Sequence, residues 1–381
     1  MKYISICGVL LVLLSLGCKK EVDREPIVFG ALYNLTGGQA ALDIPSSKGA
    51  QLAIEAINAA GGVRDQPVEL LLKDGQTNTT VLRARVREVL EEAPSTLAFL
   101  GLSDTDQVLA AAGEAAAHQR VFLTSGATSP LLPGQVPDYL FLACFGDNVQ
   151  AAAAAEYAYG TLGAATVSVI YDSTDTYTRL LQGYFTDRFT ELGGQVVSLN
   201  GYAAGSLEAA VQATPPADLI FFAALPQDVL PGIQLIRQAG LDAPVVGGDS
   251  YDEPDTWQGQ SQLGEIYFTT HTALGADNPS PEVQAFRQSY LDAYGEAPNA
   301  FAALGYDAAR LLIQAVEQAE TLTPESVRQA LTGIQDFPGV TGTISFGPDS
   351  RIPSKSVTLM AVREGAQQLV VQIIPQKIPP P

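Results

Sequence analysis

Between residues 27 and 319, short β-branched and aromatic runs alternate with longer stretches whose apolar residues recur at helical spacing. The short runs predict strands at 27–33, 68–73, 97–100, 121–124, 166–171, 218–223, 245–247 and 266–270. The longer stretches predict helices near 46–60, 78–92, 104–117, 147–160, 177–192, 226–239, 281–294 and 300–319. In the first helix Ala50, Ala53, Ile54 and Ile57 share one face, and Gly61-Gly62 stop it. Strands that are apolar throughout, separated by helices, belong in parallel sheets covered on both faces. An Ala-rich helix over 149–159 divides the series into two successive βα halves. Past 319 the pattern changes, and 342–346 and 357–362 read as antiparallel strands that close the fold. The fold class is therefore α/β, with two Rossmann-like lobes and a cleft between them. Ligands of open α/β sheets sit beyond the carboxyl ends of the strands, so the loops there are where function is sought.

The amino terminus follows a different rule. In residues 1–17 one Lys precedes an apolar run from Ile4 to Gly17, too short to span a bilayer and of signal-peptide form. The run stops at Leu16-Gly17-Cys18, before Lys19-Lys20. This is similar to a bacterial lipoprotein signal, which implies a lipidated Cys18, a linker over 18–26 and an exported, membrane-tethered protein. Ser15 stands where such signals usually carry Leu, with Leu13 and Leu14 just upstream. Of the three Cys, Cys7 leaves with the signal and Cys18 is the anchor. Cys144 alone remains, so no internal disulfide is expected. Its flank, Leu142-Ala143-Cys144-Phe145, predicts a buried structural thiol. The Pro-rich tail, 375–381, is expected to fray as a flexible end.

Charge and composition then remove function classes. Asp and Glu total 41 against 21 Lys and Arg, a formal net charge of −20. Nucleic-acid binding needs the opposite sign, because phosphates are neutralised by Lys and Arg. Two His and three Cys leave little for a zinc site or a His-based triad. Neither G-x-S-x-G nor a phosphate-cradling G-x-x-x-x-G-K-[ST] occurs. No catalytic residue, metal or cofactor is therefore expected. His118 reads as a surface or structural residue, while His271 ends a strand that leads back toward the first half, where a role beside the cleft is open.

The loops carry hydroxyls and one well-placed acid. Gly101-Leu102-Ser103-Asp104-Thr105 and Thr124-Ser125-Gly126-Ala127-Thr128 both follow strands. If they open helices, their free backbone N–H groups favour a carboxylate, although Ser, Thr and Asp also serve as plain N-caps. Asp249 follows the strand at 245–247 and is placed to pair with a ligand ammonium, or to sit in an ordinary turn.

Four stretches, in this order and spacing, carry a resemblance. They are Ile27-Val28-Phe29-Gly30-Ala31 through Ile57-Asn58-Ala59-Ala60-Gly61-Gly62-Val63, then Thr124 to Pro130, then Gly247-Gly248-Asp249, then Phe337-Pro338-Gly339-Val340-Thr341-Gly342. From Ile27 to Val371 the chain resembles the branched-chain (leucine/isoleucine/valine) amino-acid binding proteins, type I periplasmic receptors of ABC transporters. The resemblance implies two lobes joined by three crossings: 27–145 plus 272–337, and 146–271 plus 338–374. It also implies a monomer that closes on its ligand and delivers it to an ABC permease. A ligand-sensing subunit of a signalling system is the alternative use of the same fold.

The resemblance also implies residue roles. The turn of Ser103, Asp104 and Thr105, together with Thr128, would take an α-carboxylate; the loop is short, so Ser103 and Thr105 are both candidates. The carbonyl of Gly126, next to Ala127, the Thr128 hydroxyl and Asp249 would take the α-ammonium. Members commonly carry Glu at the position of Asp249. Tyr177 falls near a cleft Tyr of the family. Leu42, Leu225 and Phe301 would form the side-chain pocket. The first two are often aromatic in the family, so Leu there leaves room for a larger apolar or aromatic amino acid.

Overall fold

The structure, a computed structural model, describes residues 24–276, 278–347 and 350–381. The expected signal segment, with Cys7 and Cys18, lies outside them. The first half runs β1 (Ile27–Tyr33), α1 (Ala40–Ala59), β2 (Val68–Asp74), α2 (Thr79–Glu92), β3 (Ala98–Gly101), α3 (Thr105–Ala117), β4 (Val121–Thr124), α4 (Leu132–Gln135) and β5 (Leu140–Leu142). The second runs α5 (Asp147–Gly160), β6 (Thr166–Asp172), α6 (Thr176–Glu191), β7 (Gln195–Tyr202), α7 (Leu207–Gln212), β8 (Leu219–Ala223), α8 (Pro226–Gln238), β9 (Val245–Gly247) and β10 (Ile266–Thr270). Then follow α9 (Pro281–Tyr294), α10 (Ala300–Gln318), α11 (Pro324–Thr332), β11 (Phe337–Gly339), β12 (Gly342–Ile344), β13 (Val357–Arg363) and β14 (Ala366–Ile373).

Two sheets result. The first is all parallel, in the order β2-β1-β3-β4-β5. The second has the order β14-β13-β10-β9-β8-β6-β7; it is parallel from β10 to β7, with β13 and β14 added antiparallel. Each sheet is apolar on both faces, as its continuous hydrophobic strands require. On the first, Phe29, Ala31 and Leu100 pack toward α1, α10 and α11, and Phe99, Phe122 and Leu32 toward α2 and α3. On the second, Ile220, Phe222 and Phe268 face one way and Val167, Val169 and Phe221 the other.

The helix spacing of α1 was read correctly: Ala50, Ala53 and Ile54 are buried in the first core, with Ile57 packed against it. Helix α10 lies so close to α1 that side chains do not fit between them. A Cβ on Gly49 would stand 1.9 Å from the Ala302 carbonyl oxygen, and one on Gly305 1.9 Å from that of Ser46. Neither backbone can give way without shifting a helix. Gly305→Ala is therefore expected to cost about 3 kcal/mol, at the upper end for overpacked cores. Thermal unfolding checks this; an unchanged Tm would contradict it.

The structure differs from the sequence expectations in several places. Residues 342–344 are antiparallel as expected, but their partner is a strand at 337–339 that the pattern did not show. The cause is Asp307 of α10, whose buried carboxylate accepts from the backbone N–H groups of Val340 (2.9 Å) and Thr341 (2.8 Å) and holds the turn. Ile344 and Phe346 lie in the first core, so the change of sheet comes after 346 and not at 338. The tail is also held: Glu156 accepts from the backbone N–H groups of Gln376 and Lys377, and Asn148 donates to the Pro379 carbonyl at 2.8 Å. Helix α1 begins at Ala40, ahead of Pro45, instead of at 46.

The segments between the sheets touch one another. Phe145, between β5 and α5, stacks on His271, just after β10, with ring centroids 3.9 Å apart. Thr272 donates to the Val340 carbonyl at 3.3 Å. Lys355, buried ahead of β13, donates to the Ala143 carbonyl at 3.1 Å and to the Thr341 hydroxyl. Burial pushes its ammonium down to about 8.

Candidate functional site

The loops at the carboxyl ends of both sheets converge on one narrow cavity. Leu42, Ser103, Asp104, Gly126, Thr128, Tyr177, Leu225, Asp249 and Phe301 line it, with Gln39, Pro226 and Ser250. Nine of the sequence candidates are thus brought together; Thr105 and Ala127 are not among the lining residues. Ala127 spends its backbone internally: its N–H donates to Thr124 Oγ1 (3.1 Å) and its carbonyl accepts from Cys144 Sγ (3.2 Å). Cys144 is fully buried, as its flank predicted. Thr105 opens α3, and its hydroxyl is buried without a partner.

Each lining residue is placed by a strand end or a helix start. Leu102, directly after β3, adopts φ = 58°, a left-handed conformation rare for a non-glycine residue and costing ~1–3 kcal/mol. It is held there because its carbonyl accepts from the Thr124 hydroxyl (2.9 Å) and from the Gly126 N–H (3.2 Å). The bend joins the β3 and β4 loops and brings Ser103 to the cavity. Asp104 then caps α3, accepting from Gln107 N–H at 2.9 Å and from Gln39 Nε2 at 3.2 Å. Phe301 enters from the first turn of α10, which Asn299 caps.

The far wall is organised around Asp249. Its Oδ1 accepts from Tyr177 (2.9 Å) and Gln150 Nε2 (3.0 Å), and its Oδ2 faces His271 Nε2 at 3.1 Å. Gln150 is itself fixed: its Oε1 accepts from Thr269 (2.9 Å), and its Nε2 also reaches Asp147 (2.9 Å). Burial pushes the Tyr177 phenol well above its ordinary range, helped by Asp249, so it stays a donor. Sequence reading passed over Gln39, Gln150, Ser250 and Asp147. A Gln on a buried face of the Ala-rich α5 was the one signal available for Gln150.

The site is rich in buried carboxyl groups. Burial raises Asp43 to about 7, Asp104 to about 7 and Asp147 to about 8, while His271 is lowered by burial against the pull of Asp249. None of the lining residues is Lys or Arg. The hydroxyl of Ser103 lies beside the buried carboxyl of Asp43 and offsets part of its burial penalty. One side thus offers the hydroxyls of Ser103 and Thr128, the opposite side a carboxylate, and Leu42, Leu225 and Phe301 an apolar surface.

A stability consequence follows from these carboxyls. In the folded chain Asp43, Asp104, Asp147 and Asp252 (also about 7) keep their protons at pH values where the unfolded chain has released them. Their folded values lie above the unfolded ones of about 4, so this stabilisation is complete below pH ~4 and lost as pH rises through 7–8. His271 works oppositely, favouring unfolding as pH falls through about 6.5. The Tm of the unliganded protein is expected to fall by several degrees from about pH 6 to pH 9. A Tm that rises over that interval would contradict the assignment.

Residues 26–367 match the family model described as periplasmic binding protein. The chain belongs to the periplasmic binding protein family. This is a family of solute-binding proteins, not enzymes, and membership implies an extracytoplasmic location. Among the described residues no helix is long and apolar enough to cross a membrane. Two solved structures share the fold. One is the branched-chain amino acid transporter substrate-binding protein LivJ from Streptococcus pneumoniae, in complex with isoleucine. It is 26% identical with a TM-score of 0.83, covering 92% of this chain and 100% of that one. The other is the leucine-binding protein LivK from Thermotoga maritima, 28% identical with a TM-score of 0.82, covering 92% and 99%. By sequence, a Leu/Ile/Val-binding protein homologue from Brucella melitensis is 23% identical over 349 residues, 89% of this chain and 92% of its own.

Proposed function

We propose that the protein is the substrate-binding component of an ABC importer and captures an α-amino acid with an apolar side chain, branched-chain or larger. One observation carries the reading. A buried carboxylate, Asp249, and two hydroxyls, Ser103 and Thr128, come from different sheets to a single cavity with Leu42, Leu225 and Phe301 beside them. An ammonium fits the first, a carboxylate the second, and an apolar side chain the third. Family membership and relatives named for branched-chain amino acid transport support the same reading.

In this reading the protein is a monomer with two lobes, closes by rotation about the segments between the sheets, and hands its ligand to a membrane permease. Cys18 carries the lipid that keeps it at the membrane. Cys18→Ser should then release the protein from the membrane fraction; retention of the variant would count against the anchor.

The direct test is thermal-shift screening against amino acids, amides and small carboxylates. A ligand at a hundred times its Kd stabilises by about 2.7 kcal/mol, a shift of several degrees. The expected winners are leucine, isoleucine, valine or phenylalanine. No stabilisation by any of these classes would remove the proposal.

A further inference from the structure

The ring of His271 has a placement that neither packing nor capping explains. It is buried, sandwiched between Phe145 (3.9 Å, interplanar 23°) and the edge of Phe301 (6.4 Å, 76°), a wall of the cavity. The imidazole spends Nε2 on Oδ2 of Asp249 and leaves Nδ1 buried with no partner. Donation to a carboxylate puts the hydrogen on Nε2, so Nδ1 carries the free lone pair where a second proton would add. Tyr177 and Gln150 both act on the other oxygen, Oδ1.

We propose that His271 is the positioning residue of the ammonium site and makes ligand capture proton-sensitive. Neutral, it pins Asp249 and leaves the carboxylate's full charge for the ligand. Protonated at Nδ1, it is itself the counter-cation of Asp249 and competes with the ligand's ammonium. This rests on the reading that Asp249 receives an ammonium group.

The groups that face the ring come from several elements. Asp249, after β9, favours the imidazolium; Lys355, ahead of β13, opposes it. Asp147 on α5 and Tyr177 on α6 reach it through Gln150 and Asp249, and Cys144 lies in the same buried cluster of charges. Burial lowers the histidine's affinity for the proton, so the competition sets in on the acid side of neutrality.

The test uses leucine and phenylalanine as probes, with Kd measured by calorimetry from pH 5 to pH 8. Wild-type affinity is expected to weaken by up to about tenfold per pH unit on the acid side. His271→Gln supplies a donor that does not titrate; it should bind within about fivefold of wild type at pH 8 and lose most of the acid dependence. His271→Phe keeps the packing but not the pin, and should bind at least tenfold more weakly than His271→Gln at pH 8. An unchanged acid dependence in His271→Gln, or equal binding by the two variants, would overturn the proposal. If neither probe binds wild type at any pH, the amino-acid reading fails instead, and the ring itself decides. With two His in the chain, the second the half-exposed His118, the imidazole signals are readily assigned by NMR. Asp249→Asn should make His271 still harder to protonate, and a titration that does not respond would overturn the pin.

Discussion

Asp249→Ala should abolish measurable binding of any α-amino acid while leaving the fold in place. Truncating one side of a buried, hydrogen-bonded charge pair costs ~2–5 kcal/mol, equivalent to roughly 30- to several-thousand-fold in Kd. The upper part of that range applies because Asp249 is the acceptor on which Tyr177, Gln150 and His271 all converge. Removing it leaves their donors buried and unpaired in addition to removing the charge. Asp249→Asn separates the two effects: it keeps the shape, loses the charge, and should weaken binding by roughly tenfold to a hundredfold. Calorimetry with the best ligand from the thermal screen measures both, and circular dichroism checks the fold. Asp249→Ala binding within threefold of wild type would take the residue out of the ammonium site.

Leu225→Trp should change which ligands are accepted. Leu225 is the N-cap of α8, with Pro226 as the next residue, so its backbone is fixed and a larger side chain has to enter the cavity. The cavity is narrow, and a tryptophan takes much of the space between Leu42 and Phe301. Overpacking of this kind costs ~1–3 kcal/mol, so leucine or phenylalanine should bind roughly ten- to a hundredfold more weakly. Alanine, whose side chain stops short of that wall, should be little affected. A uniform loss for all amino acids would mean that Leu225 faces the polar end of the ligand.

The strands and helices that build the site were legible in the sequence because their burial is complete. A strand such as β8, buried throughout, can only read as an apolar run, and α1 and α10 show their faces at helical spacing. The elements that escaped are short or lie at edges. Strand β5 is three residues long, and in β7 and β14 half or more of the side chains meet solvent, so no apolar signal marks them. The site divides in the same way. Asp249 and Thr128 stand after strand ends where local sequence points to them, while Phe301 came only from the resemblance. Gln150 and His271 reach Asp249 from 99 and 22 residues away, and only tertiary packing joins them. The twist at Leu102 had no signal either, since the left-handed conformation falls on a leucine and depends on three hydrogen bonds from Thr124, Ser125 and Gly126.

The side-chain ties between the connecting segments have a mechanical meaning. Lys355, Ala143 and Thr341 form one knot, and the Phe145–His271 stack and the Thr272–Val340 bond form others beside it. Separate cords would let one half of the molecule bend, twist and slide independently against the other. Riveted cords act as a leaf spring, compliant in one direction and stiff in the remaining two. Loosening the rivet, as with Lys355→Met, would therefore admit torsion that the intact joint resists, so that opposing walls could meet out of register.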